Sequence, residues 1–68
     1  MTTSERLRTT IERLEAAYER DRAELVEEGY GDPELVRDTS GRFVLLDALT
    51  AIVNARAALA LTEEVEAS

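Results

Sequence analysis

The sequence contains no cysteine, no histidine and no tryptophan, and all eight of its cationic side chains are arginines. The missing cysteine and histidine exclude a disulfide framework, the usual zinc ligands, a thiol nucleophile and an imidazole base. We therefore expect a protein that is not an enzyme, that uses no cofactor or metal, and that has no small-molecule substrate. Such a protein works by contact with other macromolecules.

What the sequence has in excess is negative charge: fifteen acidic residues in 68 give a formal net charge of −7. Affinity for nucleic acid comes largely from neutralising phosphates, so this charge argues against a nucleic-acid partner. The length predicts a single domain over residues 1–68. A chain of this size buries only about 60% of the surface of its unfolded state, which is close to the lower limit for folding alone.

Long hydrophobic runs are limited to one stretch, from Phe43 to Leu61. Its length would nearly span a bilayer, but Asp47, Asn54 and Arg56 interrupt it, and each is costly in hydrocarbon. We expect a soluble helix and no membrane partner. The polar N-terminal residues lack the apolar run of a signal peptide, which predicts a cytoplasmic protein.

The first predicted helix covers about residues 3–28. Thr2 with Glu5 fits a capping box, although Thr3 and Ser4 are competing caps. Gly29 is placed to end the helix in a left-handed conformation, with Tyr30 following it in a Schellman motif. Large apolar residues at spacings of four and three residues line one narrow face, which we interpret as the hairpin core: Leu7, Ile11, Leu14, Tyr18 and Leu25. Asp21 interrupts this series. It is a solvated residue at the edge of the face, a buried recognition acid, or a partner for an arginine in a helical bundle.

A connection is predicted over residues 29–41. Asp32 and Pro33 suit the N-cap and first position of a short helical turn over residues 33–37, which would bring Leu35 or Val36 onto the ends of the main helices. Asp38, Thr39 and Ser40 are successive N-cap candidates for a second helix over about residues 39–63. We expect a frayed tail over residues 64–68, because acidic residues there oppose the helix macrodipole.

The second predicted helix is apolar over more than half of its circumference, with one thin polar stripe of Asp47, Thr50 and Asn54. The short connection predicts an all-α, antiparallel two-helix hairpin in which facing residue numbers sum to about 69. Arg56 would then form an ion pair with Glu12 or Glu15, within the hairpin or across a dimer. The narrow face of the first helix cannot cover the second, so we predict a homodimer that forms a four-helix bundle. Its predicted interface comprises Leu45, Leu46, Leu49, Ile52, Val53, Arg56 and Leu59.

The sequence is also compatible with other uses of these surfaces. The apolar face of the second helix could dock on a larger protein instead of a second copy, and the chain could be a helical subunit of an enzyme complex. The acidic outer face of the first helix could serve solubility alone, dock a basic protein or mimic DNA phosphates. Carboxylate pairs such as Glu12–Glu15 occur, but without histidine or a calcium-loop motif we expect no metal site.

Residues 38–49, with the order Asp-Thr-Ser-Gly-Arg-Phe-Val-Leu-Leu-Asp-Ala-Leu, and residues 54–59 also carry a resemblance. They are similar to small uncharacterised helical proteins of actinobacteria and their bacteriophages. The resemblance covers about a third of the chain and contains no chemical motif. It implies a small helical accessory protein, associated with a phage particle or its assembly, and it assigns no functional residues.

Overall fold

The computed structural model describes residues 2–68 and consists of two long helices joined by a structured connection. Helix α1 spans Thr3–Glu27, a single 3₁₀ turn spans Pro33–Leu35, and helix α2 spans Leu46–Ala67. The two long helices pack side by side in a hairpin that measures 48 × 20 × 15 Å. The predicted all-α hairpin is therefore confirmed. In the described part of the chain, no helix is both long enough and apolar enough to cross a membrane.

Both ends of α1 are capped as the sequence predicts. At the start, the Thr2 hydroxyl oxygen accepts a hydrogen bond from the amide of Glu5 at 3.2 Å, so Thr2 is the cap among the three candidates. At the end, Gly29 has a φ of 102°, the amide of Tyr30 donates to the Leu25 carbonyl at 3.2 Å, and the amide of Gly29 donates to the Val26 carbonyl at 3.1 Å. These two bonds define a Schellman motif, which satisfies carbonyls that the helix leaves free.

Substituting Gly29 with Ala should destabilise the hairpin by about 1 kcal/mol, because a side chain disfavours a positive φ. A Cβ at this position would meet no atom within 4 Å, so the cost is conformational and not steric. Gly31→Ala is the matched control, since its Cβ also meets nothing and its φ is not positive. Urea unfolding followed by circular dichroism at one protein concentration should show a lower midpoint only for Gly29→Ala. Equal midpoints for the two variants would contradict this assignment.

The first half of the connection is the short turn predicted around Pro33. The Asp32 carboxylate accepts a hydrogen bond from the Glu34 amide at 3.2 Å, and Pro33 takes the first position. The turn ends at Leu35, two residues earlier than predicted. Its buried residue is Pro33, whereas Leu35 is exposed and Val36 is half-buried.

The second half of the connection is a small loop closed by backbone pairing, where the sequence predicted the start of a helix. Arg37 and Phe43 form an antiparallel bridge, and the Val44 amide donates to the Val36 carbonyl at 2.9 Å. The Arg37 guanidinium also lies 4.3 Å from the centroid of the Phe43 ring, a cation–π distance. Gly41, with a φ of 88°, completes the tight turn between the paired segments.

The Asp38 carboxylate holds this loop together. Its Oδ1 atom accepts hydrogen bonds from the Ser40 hydroxyl at 2.6 Å, the Ser40 amide at 2.8 Å and the Arg42 amide at 3.1 Å. Asp38 is thus a capping residue, but it caps a turn and not a helix. The predicted helix start near residue 39 is wrong for this reason, and α2 begins at Leu46 without any side-chain cap.

Acidification should loosen this loop. The hydrogen bonds from the Ser40 hydroxyl, and then from the Arg42 and Ser40 amides, hold the pKa of Asp38 below its ordinary value of 3.8. The stabilisation is therefore complete above that ordinary value and is lost as the pH falls through the lowered folded pKa. An NMR titration should show the Ser40 and Arg42 amide signals moving together below about pH 4. Asp38→Asn, which has no charge to lose, should abolish that transition; amides that do not respond in the natural chain would contradict the assignment.

Polar contacts between the helices fix their relative alignment. Arg8 pairs with Glu63 at 2.5 Å, Arg56 pairs with Glu15 at 2.7 Å, and the Ser4 amide donates to Glu66 at 3.4 Å. These contacts lie within two positions of the predicted alignment, and the predicted ion pair of Arg56 with Glu12 or Glu15 is confirmed for Glu15. The helix continues to Ala67, beyond the predicted limit at residue 63. Contacts of Glu63 and Glu66 with the start of α1 offset the unfavourable position of these acids at a helix C-terminus.

The hydrophobic core is small. Within residues 2–68 the buried aliphatic side chains are Ile11, Leu45 and Ile52, and Pro33 is buried at the connection. The other predicted core residues of α1 are half-buried: Leu7, Leu14, Tyr18 and Leu25. One narrow helix face therefore covers only part of its partner helix, as the sequence indicates.

Candidate functional site

Six of the seven residues of the predicted interface separate into two groups in the structure, and the seventh, Arg56, pairs with Glu15 of α1. Leu45 and Ile52 are buried and Leu59 is half-buried, so these three are covered within the hairpin itself. They follow one another at seven-residue intervals and lie on one side of α2. They are consequently not free to contact another molecule in this structure.

The remaining leucines and valine form an exposed surface. Leu46 is 45% exposed, Leu49 39% and Val53 63%, and the small residues Ala57 and Ala60 are exposed beyond them. Spacings of three and four residues place all five on one face of α2. We call this set, Leu46, Leu49, Val53, Ala57 and Ala60, the apolar stripe. From its first to its last residue it extends about 21 Å along the helix at the usual rise per residue.

An open groove of about 620 Å³ runs between the two helices beside the apolar stripe. Its floor is mainly apolar, and Leu49 and Val53 belong to both features. Charged side chains of both signs stand along its edges. The lining residues are Glu15, Tyr18, Glu19, Arg22, Ala23, Leu49, Ile52, Val53 and Arg56.

The charges at the groove balance one another. Arg56 pairs with Glu15 across it, and Arg22 lies 3.7 Å from Glu34 of the connection. The Arg56 side chain is 62% exposed, so it is more solvated than its apolar sequence neighbours suggest, and the pair contributes no more than about 1 kcal/mol to folding. Two arginines and two glutamates line the groove, whereas the whole chain carries a net charge of −7. This part of the surface therefore lacks the repulsion that the rest of the chain would exert on another acidic molecule.

The predicted polar stripe of α2 faces solvent. Asp47, Thr50 and Asn54 are all exposed, and Asp47 forms an ion pair at 2.6 Å with Arg42 of the preceding loop. Asp21 of α1 is exposed as well, with its carboxylate 3.9 Å from the Arg20 guanidinium. Neither feature forms a buried recognition site, and for Asp21 this corresponds to the solvated alternative.

The carboxylates of α1 do not gather into a cluster in the described residues. No group of three or more acidic side chains between residues 2 and 68 is arranged to hold a metal ion. Of the pair Glu12–Glu15 noted in the sequence, Glu12 is exposed, whereas Glu15 is half-buried and is engaged by Arg56 of α2.

Two residues of the apolar stripe were missed by the sequence reasoning. Ala57 and Ala60 were not among the predicted interface residues. Four other alanines of α2 are small enough to allow close approach of a second copy; three of these are half-buried within the hairpin and the fourth is exposed, in the order Ala48, Ala51, Ala55 and Ala58. A signal for the stripe does exist: residues 46, 53 and 60 repeat at seven-residue intervals, one position after the buried series 45, 52 and 59. Sequence alone does not say which of these two series faces α1.

Comparison of the chain with protein-family models, with curated proteins and with solved structures gave no match.

Proposed function

We propose that this protein is a non-enzymatic interaction module that self-associates through the apolar stripe of α2. The observation that carries the proposal is the exposure of Leu46, Leu49 and Val53 in a continuous row beside an open, charge-balanced groove. Soluble monomers rarely leave contiguous apolar surface of this kind in water, and where they do it marks a site of contact.

The total surface supports the same proposal. A folded monomer of 7.6 kDa is expected to expose about 4,300 Å². The chain exposes 5140 Å², an excess of about 840 Å². One partner in a stable protein interface of standard size contributes about 800 Å². The surplus surface is therefore of the size that one such interface would cover, and a thin hairpin with a small core gains stability from covering it.

Light scattering coupled to size-exclusion chromatography tests the proposal on the natural chain. At micromolar concentration the mass should be twice the chain mass of 7.6 kDa. On dilution the dimer should dissociate, with a loss of helicity in parallel if its interface stabilises the hairpin. A mass of 7.6 kDa at all concentrations up to about 1 mM, which corresponds to an association weaker than about 4 kcal/mol, would overturn self-association. The apolar stripe would then be assigned to contact with a larger protein.

A further inference from the structure

The apolar stripe is graded in size from one end to the other. Its N-terminal half carries Leu46 and Leu49, Val53 lies at its centre, and its C-terminal half carries Ala57 and Ala60. Leu46 and Ala60 are each seven residues from Val53, and Leu49 and Ala57 are each four residues from it. The residues of the stripe are therefore spaced symmetrically about Val53, but the side chains on its N-terminal side are large and those on its C-terminal side are small.

We infer that two copies of this chain associate through their α2 helices in antiparallel orientation, with the two-fold axis passing beside Val53. This inference rests on the proposed self-association and specifies its geometry. In an interface with two-fold symmetry, each contact occurs twice. Leu46 then packs on Ala60 of the partner subunit, Leu49 packs on Ala57 of the partner subunit, and the two Val53 side chains meet.

Side-chain volume favours this orientation over the parallel one. Antiparallel pairing puts a leucine opposite an alanine at the two levels on either side of the Val53 contact, so the side chains interdigitate and the two helix axes keep an even spacing. Parallel pairing about the same stripe would place Leu46 on its own copy and Ala60 on its own copy. The helices would be forced apart at one end, and a gap would remain at the other end with loss of packing.

Charge favours the same orientation. Glu64 follows Ala60 by four residues and is exposed, so it extends the line of the apolar stripe. Parallel pairing would bring the two Glu64 carboxylates together, whereas antiparallel pairing sends each one toward the start of the partner's α2. The N-terminus of α2 is the positive end of the helix macrodipole, and it lacks a side-chain cap. The dipoles of the two α2 helices also oppose one another in this arrangement.

Single cysteine substitutions test the geometry, because the natural chain contains no cysteine. Val53→Cys should form a disulfide-linked dimer on mild oxidation, since the two copies of this residue meet on the axis. Leu46→Cys alone and Ala60→Cys alone should form little, because copies of the same residue lie about 21 Å apart, beyond the reach of a disulfide. An equal mixture of Leu46→Cys and Ala60→Cys chains should yield the mixed dimer, which intact mass spectrometry separates from either homodimer.

The cross-linking results distinguish failure of the antiparallel orientation from failure of the proposed self-association. All these positions are exposed in the single hairpin, so the substitutions leave its fold intact, and Asn54→Cys, which lies off the stripe, serves as a control for random collision. Homodimers of Leu46→Cys and of Ala60→Cys without the mixed species would overturn the antiparallel inference while retaining self-association. Reduced chains that scatter light as monomers would overturn both. Cross-linking of Asn54→Cys as fast as Val53→Cys would also overturn the inferred axis.

Discussion

Replacing Val53 with Asp is expected to convert the proposed dimer into a monomer that keeps its helices. Val53 is 63% exposed in the single hairpin, so a carboxylate there remains in water and the fold loses little. In the dimer the two introduced carboxylates would meet in an apolar contact, where removing a charge from water without a partner costs several kcal/mol. Each 1.4 kcal/mol weakens association tenfold, so the dissociation constant should rise at least about 100-fold.

The matched control for this variant is the neighbouring residue. Asn54→Asp introduces the same charge one position along α2, but Asn54 belongs to the exposed polar stripe and not to the apolar stripe. Sedimentation or light scattering over a concentration series should give the natural dissociation constant for Asn54→Asp, within a factor of about three for long-range charge repulsion. Circular dichroism should show equal helicity for both variants at concentrations where each is monomeric.

Three results would contradict a role of Val53 in association alone. Equal weakening by Val53→Asp and Asn54→Asp would show that net charge, and not the apolar stripe, controls association. Unchanged association in Val53→Asp would place the interface elsewhere on the hairpin. Loss of helicity in Val53→Asp alone would mean that Val53 contributes to folding in spite of its exposure.

The ends of α1 illustrate what sequence can predict in this chain. Thr2 and Gly29 act through local chemistry: a hydroxyl three residues before an amide, and a residue that tolerates a positive φ. Such contacts depend only on residues close in sequence, so the spacing of residue types is sufficient to find them. The antiparallel alignment of the two helices could also be predicted, because the connection turns the chain back so that α2 runs along α1.

The first residue of α2 could not be predicted from sequence in the same way. The residues from Phe43 to Leu45 are as apolar as those of the helix, so hydrophobic periodicity gives no boundary there. The true boundary is set by the loop in which Asp38 binds Ser40 and Arg42. Asp and Ser suit a helix cap and a tight turn equally well, and Gly41, three residues after Asp38, was the signal for the turn.

The facing of α2 could not be predicted for a different reason. Two apolar series, residues 45, 52 and 59 and residues 46, 53 and 60, run along the helix about 100° apart. Either one could face α1, and the hydrophobic pattern is satisfied by both. Which series faces α1 depends on the rotation of α2 about its axis. This rotation follows from the residue at which the loop ends and from the direction that the Val36–Val44 pairing gives the backbone. This rotation decides which residues are left for a partner, so the candidate site required the structure.

The second large effect is expected at the buried series, for Leu45→Ala. Leu45 is 2% exposed and lies just before α2, so truncation removes packing at the junction of the helix with the connection. Such substitutions cost about 2–5 kcal/mol in well-packed sites. A chain of 68 residues has a total stability of about 3–10 kcal/mol, so a large part of it would be lost.

The comparison that isolates this packing is Leu61→Ala, the same chemical change within α2 at a side chain that is 64% exposed and outside the apolar stripe. Urea unfolding at one protein concentration should give a midpoint close to that of the natural chain for Leu61→Ala and a much lower one, or no folded baseline, for Leu45→Ala. The difference between the two midpoints is informative because both residues are leucines and differ only in what the fold places around them. Equal midpoints would mean that Leu45 does not anchor α2 and that the assignment of the 45, 52, 59 series to the hairpin interior is wrong. The assignment of the 46, 53, 60 series to the exposed surface would then be wrong as well, because one rotation of α2 about its axis determines which series is buried and which is exposed.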